Sequence, residues 1–484
     1  MNNLSEYLDY KYKSINIISD PIYNSIKFTA PSSSIDIETT ERDLIDNKWL
    51  QRLRKIHQLQ STFWVFPSAE NSRFIHSLGT MHLAGEFGKH LYNDLKINFS
   101  DSCPSINFIE EFLRICGLLH DIGHGPFGHK FDSSFLEIKF NGLNHEKISS
   151  KIIEEKLRKL IIAIKRSPSG LFNEGEVINP IHISYIINKS AKYKNDFPKW
   201  LRALKALFCG QFFTIDNLDY VLRDSYFTGY SKDPLKVDRI LFYTSINKEG
   251  LIFSSQGKNT FKQFINLKTD LYNSIYFHRT VRAIDLAIDS VFYKTMEKIC
   301  DFNPINNLDK YLKVTEWDLF NICSNWINSD NQDEKELGIK WCKILNREKT
   351  WFVAFDKEIK IGYSQNNESL FFSQFINIKE VENKIYSALK EKFNEKNIEN
   401  VAISIDTPSL DPRPLEVSLE EKMKIFNNNI DIIEEKRIFE WISDIPVRII
   451  NFRVYTNNKD YIKDIAEISE SLLSKYMPSY STNI

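Results

Sequence analysis

Seven of the chain's ten histidines fall between positions 76 and 145. Several of them stand beside carboxylates: His120 next to Asp121, His129 with Asp132, and His145 next to Glu146. Imidazole and carboxylate together suit a borderline divalent metal such as manganese, iron, zinc or nickel. Neighbours on an ideal helix diverge by about 100°, so His120 and Asp121 share a metal most easily where a helix is ending. Gly123, two residues on, supplies such an end. A metal held this way, with room left for water, can act as a Lewis acid and a source of hydroxide. The bland alternative is that each histidine is a surface group or a satisfied core group, and a bare His-Asp dipeptide does not exclude it.

The elements that must carry these residues are mostly helical. Leu44, Trp49, Leu53, Ile56 and Leu59 recur at helical spacing and predict one amphipathic helix. His76 to Leu91 repeats the pattern through Leu78, Met81, Leu83 and Phe87, and Phe108 to Leu119 through Phe112, Ile115 and Leu118. The second of these stops at IGHGPFGH, because Gly123, Gly125 and Pro126 disfavour continued helix. Phe261 to Cys300 reads as one long, kinked helix. Before residue 40 only a strand-like stretch around Ile22–Phe28 stands out. After about 304, helical pieces alternate with strand-like TWFVAFD, NVAISIDT and VRIINFRVYT.

Composition closes off other classes. The 484 residues are 42% hydrophobic and 26% charged, as in an ordinary globular protein. Lysine plus arginine number 63 against 64 acidic residues, so no global basic excess points to nucleic acid or an anionic membrane. Six scattered cysteines form no CxxC pair, which argues against a disulfide framework or a zinc ribbon. No signal-peptide profile opens the chain, and no apolar run approaches the ~20 residues of a membrane span. The expected location is the cytoplasm.

Longer wording sharpens the histidine reading. Arg73-Phe-Ile-His-Ser-Leu-Gly79 is followed by Gly117-Leu-Leu-His-Asp-Ile-Gly-His-Gly-Pro-Phe-Gly-His129. With Asp20-Pro-Ile-Tyr23, QRLRKIHQL, Val65-Phe-Pro67, Asn144-His-Glu146, Ile215-Asp-Asn-Leu-Asp-Tyr220, Arg223-Asp-Ser225 and Tyr276-Phe-His278, this order resembles the HD-domain deoxynucleoside triphosphate triphosphohydrolases. The resemblance runs from about residue 20 to about residue 300 and more faintly beyond. It implies a mainly α fold: an N-terminal segment at 1–40, an HD helical bundle at 41–303 and a smaller α+β region at 304–484.

By the same resemblance, His76, His120, Asp121 and Asp216 are the metal ligands, for Mn, Fe, Zn, Ni or Mg. His129, Asp132, His145 and His124 become the catalytic set. Asp132, three residues after His129, could orient that imidazole for acid–base work. Arg73, Gln58, Leu59, Asp219, Tyr220, Asp224, Lys268, Tyr272 and Tyr276 are the expected substrate contacts, with Tyr276 as the wall at the deoxyribose 2′ position. Asn71, Thr214, Asn217 and Lys268 depart from the family's usual residues and bear on the phosphate grip and base preference. The activity implied is release of triphosphate from a deoxynucleotide, by a homo-oligomer answering to a nucleotide activator, with 304–484 available to a protein partner. Two other readings compete: hydrolysis of another nucleotide phosphoester, and a nucleotide-sensing HD scaffold with little turnover.

Overall fold

A computed structural model describes residues 14–31, 38–210, 212–361, 378–395, 401–410, 422–430, 432–437 and 448–476. The single strand expected near Ile22 is instead a hairpin of β1 (Ile15–Asp20) and β2 (Asn24–Thr29). Pro21 has no N–H for a ladder, and Asp20 Oδ1 accepts from the amides of Ile22 (2.9 Å) and Tyr23 (3.0 Å), which turns the chain.

The helix expected over Leu44–Leu59 is broken into Glu41–Ile45, Lys48–Gln51 and a 3-10 turn at Arg52–Lys55. Asn47 causes the first break: its side chain accepts from Trp49 N at 3.0 Å and starts a new turn. The apolar stripe survives, since Leu44, Trp49, Leu53 and Ile56 are all buried.

Two helices then carry the centre of the molecule, α1 (Arg73–Phe99) and α2 (Ile106–Leu119). They cross closely at Gly117, where a Cβ would lie 2.5 Å from the carbonyl oxygen of Thr80. Only glycine permits that approach, which sets His120 opposite His76. After α2 the chain turns through Phe127 (φ 61°) and Gly128 (φ 51°), both left-handed. Helix α3 (His145–Glu155) is capped by Asn144, and α4 (Ile215–Phe227) by Thr214, whose hydroxyl accepts from Asn217 N at 3.0 Å. Thr214, a departure from the family pattern, is thus a sound N-cap.

Next come the β3 (Thr244–Asn247) and β4 (Gly250–Ser254) hairpin and α5 (Lys258–Leu271). The long helix expected from 261 to 300 is interrupted. A π-turn at Tyr272–Tyr276 follows α5, and α6 (Arg279–Ile299) begins afresh. His278 Nδ1 accepts from Thr280 N at 3.3 Å, so a side chain caps the new start. The remainder holds β5 (Phe352–Ile361), α7 (Ile378–Glu395), β6 (Ile403–Asp406), β7 (Lys422–Asn427), β8 (Ile432–Arg437), β9 (Arg448–Thr456) and α8 (Ile462–Tyr476). Each of the three runs expected as strands holds a strand, with Asn400 and Val447 outside the described residues.

The chain divides into two units that alternate along the sequence. The first comprises Met1–Phe264, Phe292–Ile322 and Val417–Arg437. Its helices surround α1 and α2, and its four-stranded sheet has the order β8-β7-β4-β3. In that sheet β7 runs parallel to β4, pairing Ile425 with Phe253 and Phe426 with Ser254. The second unit comprises Ile265–Val291, Cys323–Glu416 and Ile438–Ile484. There β9 lies between β5 and β6, antiparallel to both. Its alternate residues Ile450, Phe452 and Val454 join a core with Val381, Ile385, Leu389 and Phe393 of α7 and Ile465 and Leu473 of α8. Each such side chain contributes about 1.5–3 kcal/mol when fully buried. On the other face of β9, Arg453 donates to Phe277 O and Tyr455 to Arg279 O. The fold is therefore mainly α, with a helical bundle and smaller sheets.

Candidate metal centre and active site

The α1–α2 crossing brings His76 Nε2 to 3.2 Å from His120 Nε2. From α4, Asp216 Oδ1 reaches 3.0 Å from the first and 3.6 Å from the second. The other nitrogen of each ring is already used. His76 Nδ1 lies 2.7 Å from Asp219 Oδ2, and His120 Nδ1 lies 2.7 Å from Gly117 O. Both rings therefore carry a proton on Nδ1, and their Nε2 atoms face each other and Asp216. That arrangement repels itself unless a positive charge lies between them, so the donor set fits a divalent metal ion. His76, His120 and Asp216 are near enough to one another to hold one.

Burial opposes a charge on His76, but hydrogen bonds to Asp216 and Asp219 outweigh it and push the imidazole up to about 10, so without a metal ion a second proton, on Nε2, is the positive charge at this point. Burial also opposes charge on Asp216, yet the two imidazoles hold it below the usual carboxylate range. Asp121 completes the group: its Oδ1 lies 3.4 Å from His120 Nε2 and its Oδ2 3.9 Å from His76 Nε2. Oδ2 also accepts from Arg73 Nη1 at 2.5 Å. The structure thus brings all four expected ligands together, with Asp121 shared between the centre and Arg73.

Asp219, expected among the substrate contacts, stands behind His76 instead. It is fully buried and accepts from Arg223 Nε and Nη2, both at 2.9 Å, while Arg223 Nη1 donates to Asp20 at 2.9 Å. A Cβ on Gly79 would sit 2.0 Å from Asp219 Oδ1, so only glycine lets this pair lie against α1. Burial opposes charge on Asp219, but Arg223 and His76 hold it down at about 2.

Beside the candidate metal ligands lie three more imidazoles. His124 and His145 stack at 3.7 Å between centroids, and His129 stands 5.0 and 5.2 Å from them. Their nitrogens are close enough that this triad, too, could hold a cation. Asp132 was expected to orient His129. The structure gives its short contact to His145 instead, with Nδ1 at 2.5 Å and the His145 amide at 3.0 Å. His129 Nδ1 is 3.7 Å away, and the ring is 69% exposed. The cause is local: residues 132–136 form a π-turn, and α3 starts at His145 with its first amide aimed at Asp132. His124 is buried with no well-formed hydrogen bond on either nitrogen, and its Nε2 lies 3.4 Å from Asp121 Oδ1. Burial, with Arg73 and His145 alongside, holds it well below the ordinary histidine value, so the ring is neutral.

The remaining expected contacts divide. Arg73 lies against Gly128, where a Cβ would come within 2.4 Å of Nη2. Gln58 N donates to Asn71 O at 2.9 Å, its buried Oε1 makes no hydrogen bond, and Leu59 is buried. Asp216, Tyr220 and Asp224 follow one another at one-turn spacing along α4, and Asn71 Nδ2 approaches Asp224 Oδ1 at 3.4 Å. Asn217 is buried. Lys268, Tyr272 and Tyr276 belong to the second unit, where the two tyrosine rings meet edge to face at 4.8 Å. Reasoning from sequence missed the groups that hold the histidine loop from behind, Arg52, Tyr311 and Glu316, because none is adjacent to a histidine.

Comparison with known proteins places the motif. Residues 73–186 match the family model of the HD domain. An uncharacterized protein of Methanocaldococcus jannaschii is 27% identical over 70% of this chain and 65% of its own length. A deoxynucleoside triphosphate triphosphohydrolase SAMHD1 homolog of Dictyostelium discoideum is 26% identical over 63% of this chain and 51% of its own. The SAMHD1 of Bos taurus is 27% identical over 59% and 48%. The match thus spans about half the length of these triphosphohydrolases and less than two thirds of the archaeal protein. In fold, the chain is similar to a phosphohydrolase of Bacteroides thetaiotaomicron, with TM-score 0.59, 22% identity and coverage of 91% and 99%. It is also similar to a hypothetical protein of Aquifex aeolicus, with TM-score 0.62, 19% identity and coverage of 95% and 100%. No helix among the described residues is long and apolar enough to cross a membrane.

Proposed function

We propose that this chain is a metal-dependent hydrolase of deoxynucleoside triphosphates, releasing deoxynucleoside and intact triphosphate. One observation carries the reading: the Nε2 atoms of His76 and His120 converge with Asp216 and Asp121, beside Arg73 and a triad of further imidazoles. A divalent ion held there would polarise the phosphate and lower the pKa of bound water.

The chain's own groups do the rest. Arg73 is held in place by Asp121 and presents the rest of its fork to phosphate oxygens. Asp132 fixes His145 through Nδ1, which leaves Nε2 to carry the proton given to the departing 5′ oxygen. Neutral His124 can hydrogen-bond the phosphate without adding charge. Tyr220 and Asp224, one and two turns beyond Asp216, face the nucleotide with Gln58 and Leu59. For the sugar, Lys268, Tyr272 and Tyr276 are retained from the sequence resemblance alone.

A nucleotide activator, also part of this proposal, finds support in the second unit. There a cavity of about 630 Å³ is lined by Arg279, Arg347, Lys349 and Lys459 together with Trp351 and Phe352. Cations for phosphates beside rings for a base are what such a ligand requires. A cytoplasmic homo-oligomer, with a protein partner on 304–484, completes the reading.

The test is incubation of the full chain with each of the four dNTPs and four NTPs plus manganese, followed by chromatography. Deoxynucleoside and tripolyphosphate are the expected products. Orthophosphate or pyrophosphate as the product, or indifference to the 2′-hydroxyl, would defeat the assignment.

A further inference from the structure

We propose that Glu316 is a positioning residue: one buried carboxylate that ties the histidine-bearing loop at 123–128 to the turn at 56–59. It thereby sets the proton-transferring groups and the nucleoside contacts together. This rests on the hydrolase reading above and adds a residue that no motif contains.

Glu316 opens a helix (Glu316–Asn325) and is fully buried. A carboxylate taken out of water costs several kcal/mol unless its lone pairs are matched. Here each oxygen is matched to a different side of the site. Oε1 accepts from Phe127 N at 2.8 Å. Oε2 accepts from His57 N at 3.2 Å and makes a still closer contact with His57 Nδ1. The helix start adds its own partial positive charge.

On the first side, the loop needs holding. Phe127 has φ 61° and Gly128 φ 51°, and the left-handed region strains a residue that carries a Cβ. Glu316 fixes Phe127, Tyr311 Oη donates to Gly123 O at 2.7 Å, and Arg52 Nη1 donates to His124 O at 2.5 Å. Arg52 Nη2 returns to Val314 O at 2.6 Å, so the segment leading to Glu316 and the loop form one hydrogen-bonded body. His124 and His129 lie inside or directly after that loop.

On the second side, His57 stacks on Phe63 at 4.3 Å and meets Glu70 at 3.0 Å through Nε2. The strand-like segment around it pairs with the start of α1. Gln58 N donates to Asn71 O at 2.9 Å, and Arg73 N donates to Ile56 O at 3.0 Å. Moving His57 therefore moves Gln58 and Arg73, while moving Phe127 moves His124 and His129. Glu316 is the group common to both.

The test uses Glu316→Gln and Glu316→Ala in the full chain. Metal content, kcat and KM are measured on one deoxynucleotide and its matching ribonucleotide, with hydrogen exchange of peptides covering 123–128 and 56–59. Glu316→Ala is expected to keep its metal, lose about 10²-fold in kcat, and shift the deoxy-to-ribo ratio, since misplacement of about 1 Å can cost that much. Exchange should rise in both segments and stay unchanged in the middle of α2. Glu316→Gln, which keeps an acceptor for Phe127, should restore most of kcat but not the ratio. Exchange rising in one segment or neither, or a folded Ala variant with unaltered kcat and ratio, overturns the proposal. If the Ala variant does not fold, the Glu316→Gln and His57→Gln pair decides: strictly additive effects on the ratio overturn it and coupled effects support it. A wild type that cleaves some other phosphoester defeats the deoxynucleotide reading alone, and Glu316 is then tested on that ester. The exchange arm stands without any activity.

Discussion

Replacing Asp219 by Asn should cripple the metal centre while sparing the fold. Asp219 accepts one hydrogen bond from His76 Nδ1 at 2.7 Å and two from Arg223 at 2.9 Å. An Asn has one accepting atom and one donating atom. His76 Nδ1 and Arg223 Nε share Oδ2 while Arg223 Nη2 takes Oδ1, so an amide that keeps its oxygen toward His76 turns N–H₂ against Nη2, and the reverse rotamer turns it against both His76 and Nε. Either way His76 loses the carboxylate charge that orients its ring and raises the basicity of Nε2. Loss of such an orienting partner typically costs 10- to 100-fold in metal affinity, or about 1.4–2.7 kcal/mol. Asp219→Ala is a poorer probe, because it leaves Arg223 buried with Asp20 alone and costs about 3–5 kcal/mol of stability. The assay is competition for manganese or cobalt against a metallochromic chelator, with circular dichroism to establish folding. A folded Asp219→Asn chain that binds metal as tightly as wild type would refute the argument, and with it the assignment of Nε2 as the ligating atom of His76.

Other substitutions divide the site's labour. His145→Ala should keep its metal and lose about 10²–10⁴-fold in kcat, with His129→Ala losing less, because Asp132 grips His145; the reverse order in single-turnover rates would return the acid to His129. Tyr276→Ala should narrow the preference for dNTP over NTP, measured as the ratio of kcat/KM values, and an unchanged ratio removes Tyr276 from the sugar wall. His57 gives a pH signature. Burial opposes its charge, but Glu316 and Glu70 raise it above its ordinary 6.5. The stability it adds is therefore complete below about pH 6.5 and is lost as pH rises through the raised folded value. Urea midpoints of wild type and His57→Gln should differ more at about pH 6 than at about pH 9, and equal differences would show that the imidazole is not charged in the folded chain.

How far the sequence reached follows from what kind of interaction held each part. Residues pinned by adjacent chemistry were legible: His120 and Asp121 at a helix end with Gly123 behind them, and the strands whose β-branched runs needed no partner to be seen. Periodicity identified Leu44, Trp49, Leu53 and Ile56 as core but could not show the breaks between them, because the first hangs on one Asn47 side chain bonding its neighbour. The same holds at His278, whose ring starts a new helix where hydropathy runs on unbroken. Within the site, spacing paired Asp132 with His129, yet the closer partner comes from another helix, a contact across 13 residues. Asp219 is a similar case: the resemblance put it among the substrate contacts, while its position in α4 sends it to Arg223 and His76. Glu316 was invisible, since its partners His57 and Phe127 lie 259 and 189 residues away.

The parallel pairing of β7 with β4 has a consequence for how the molecule is made. Strand β7 is synthesised about 170 residues after the strand beside it, and contacts of such long range form late and slowly. The ribosome delivers the metal ligands and the histidine triad early, and Glu316 follows them. The sheet of the same unit must wait with an open edge until Lys422–Asn427 has emerged. A fragment ended at residue 303 would carry the whole catalytic motif and still lack both the carboxylate that steadies it and the strand that closes that edge. Nascent chains of intermediate length are therefore the form of this protein most exposed to pairing with one another.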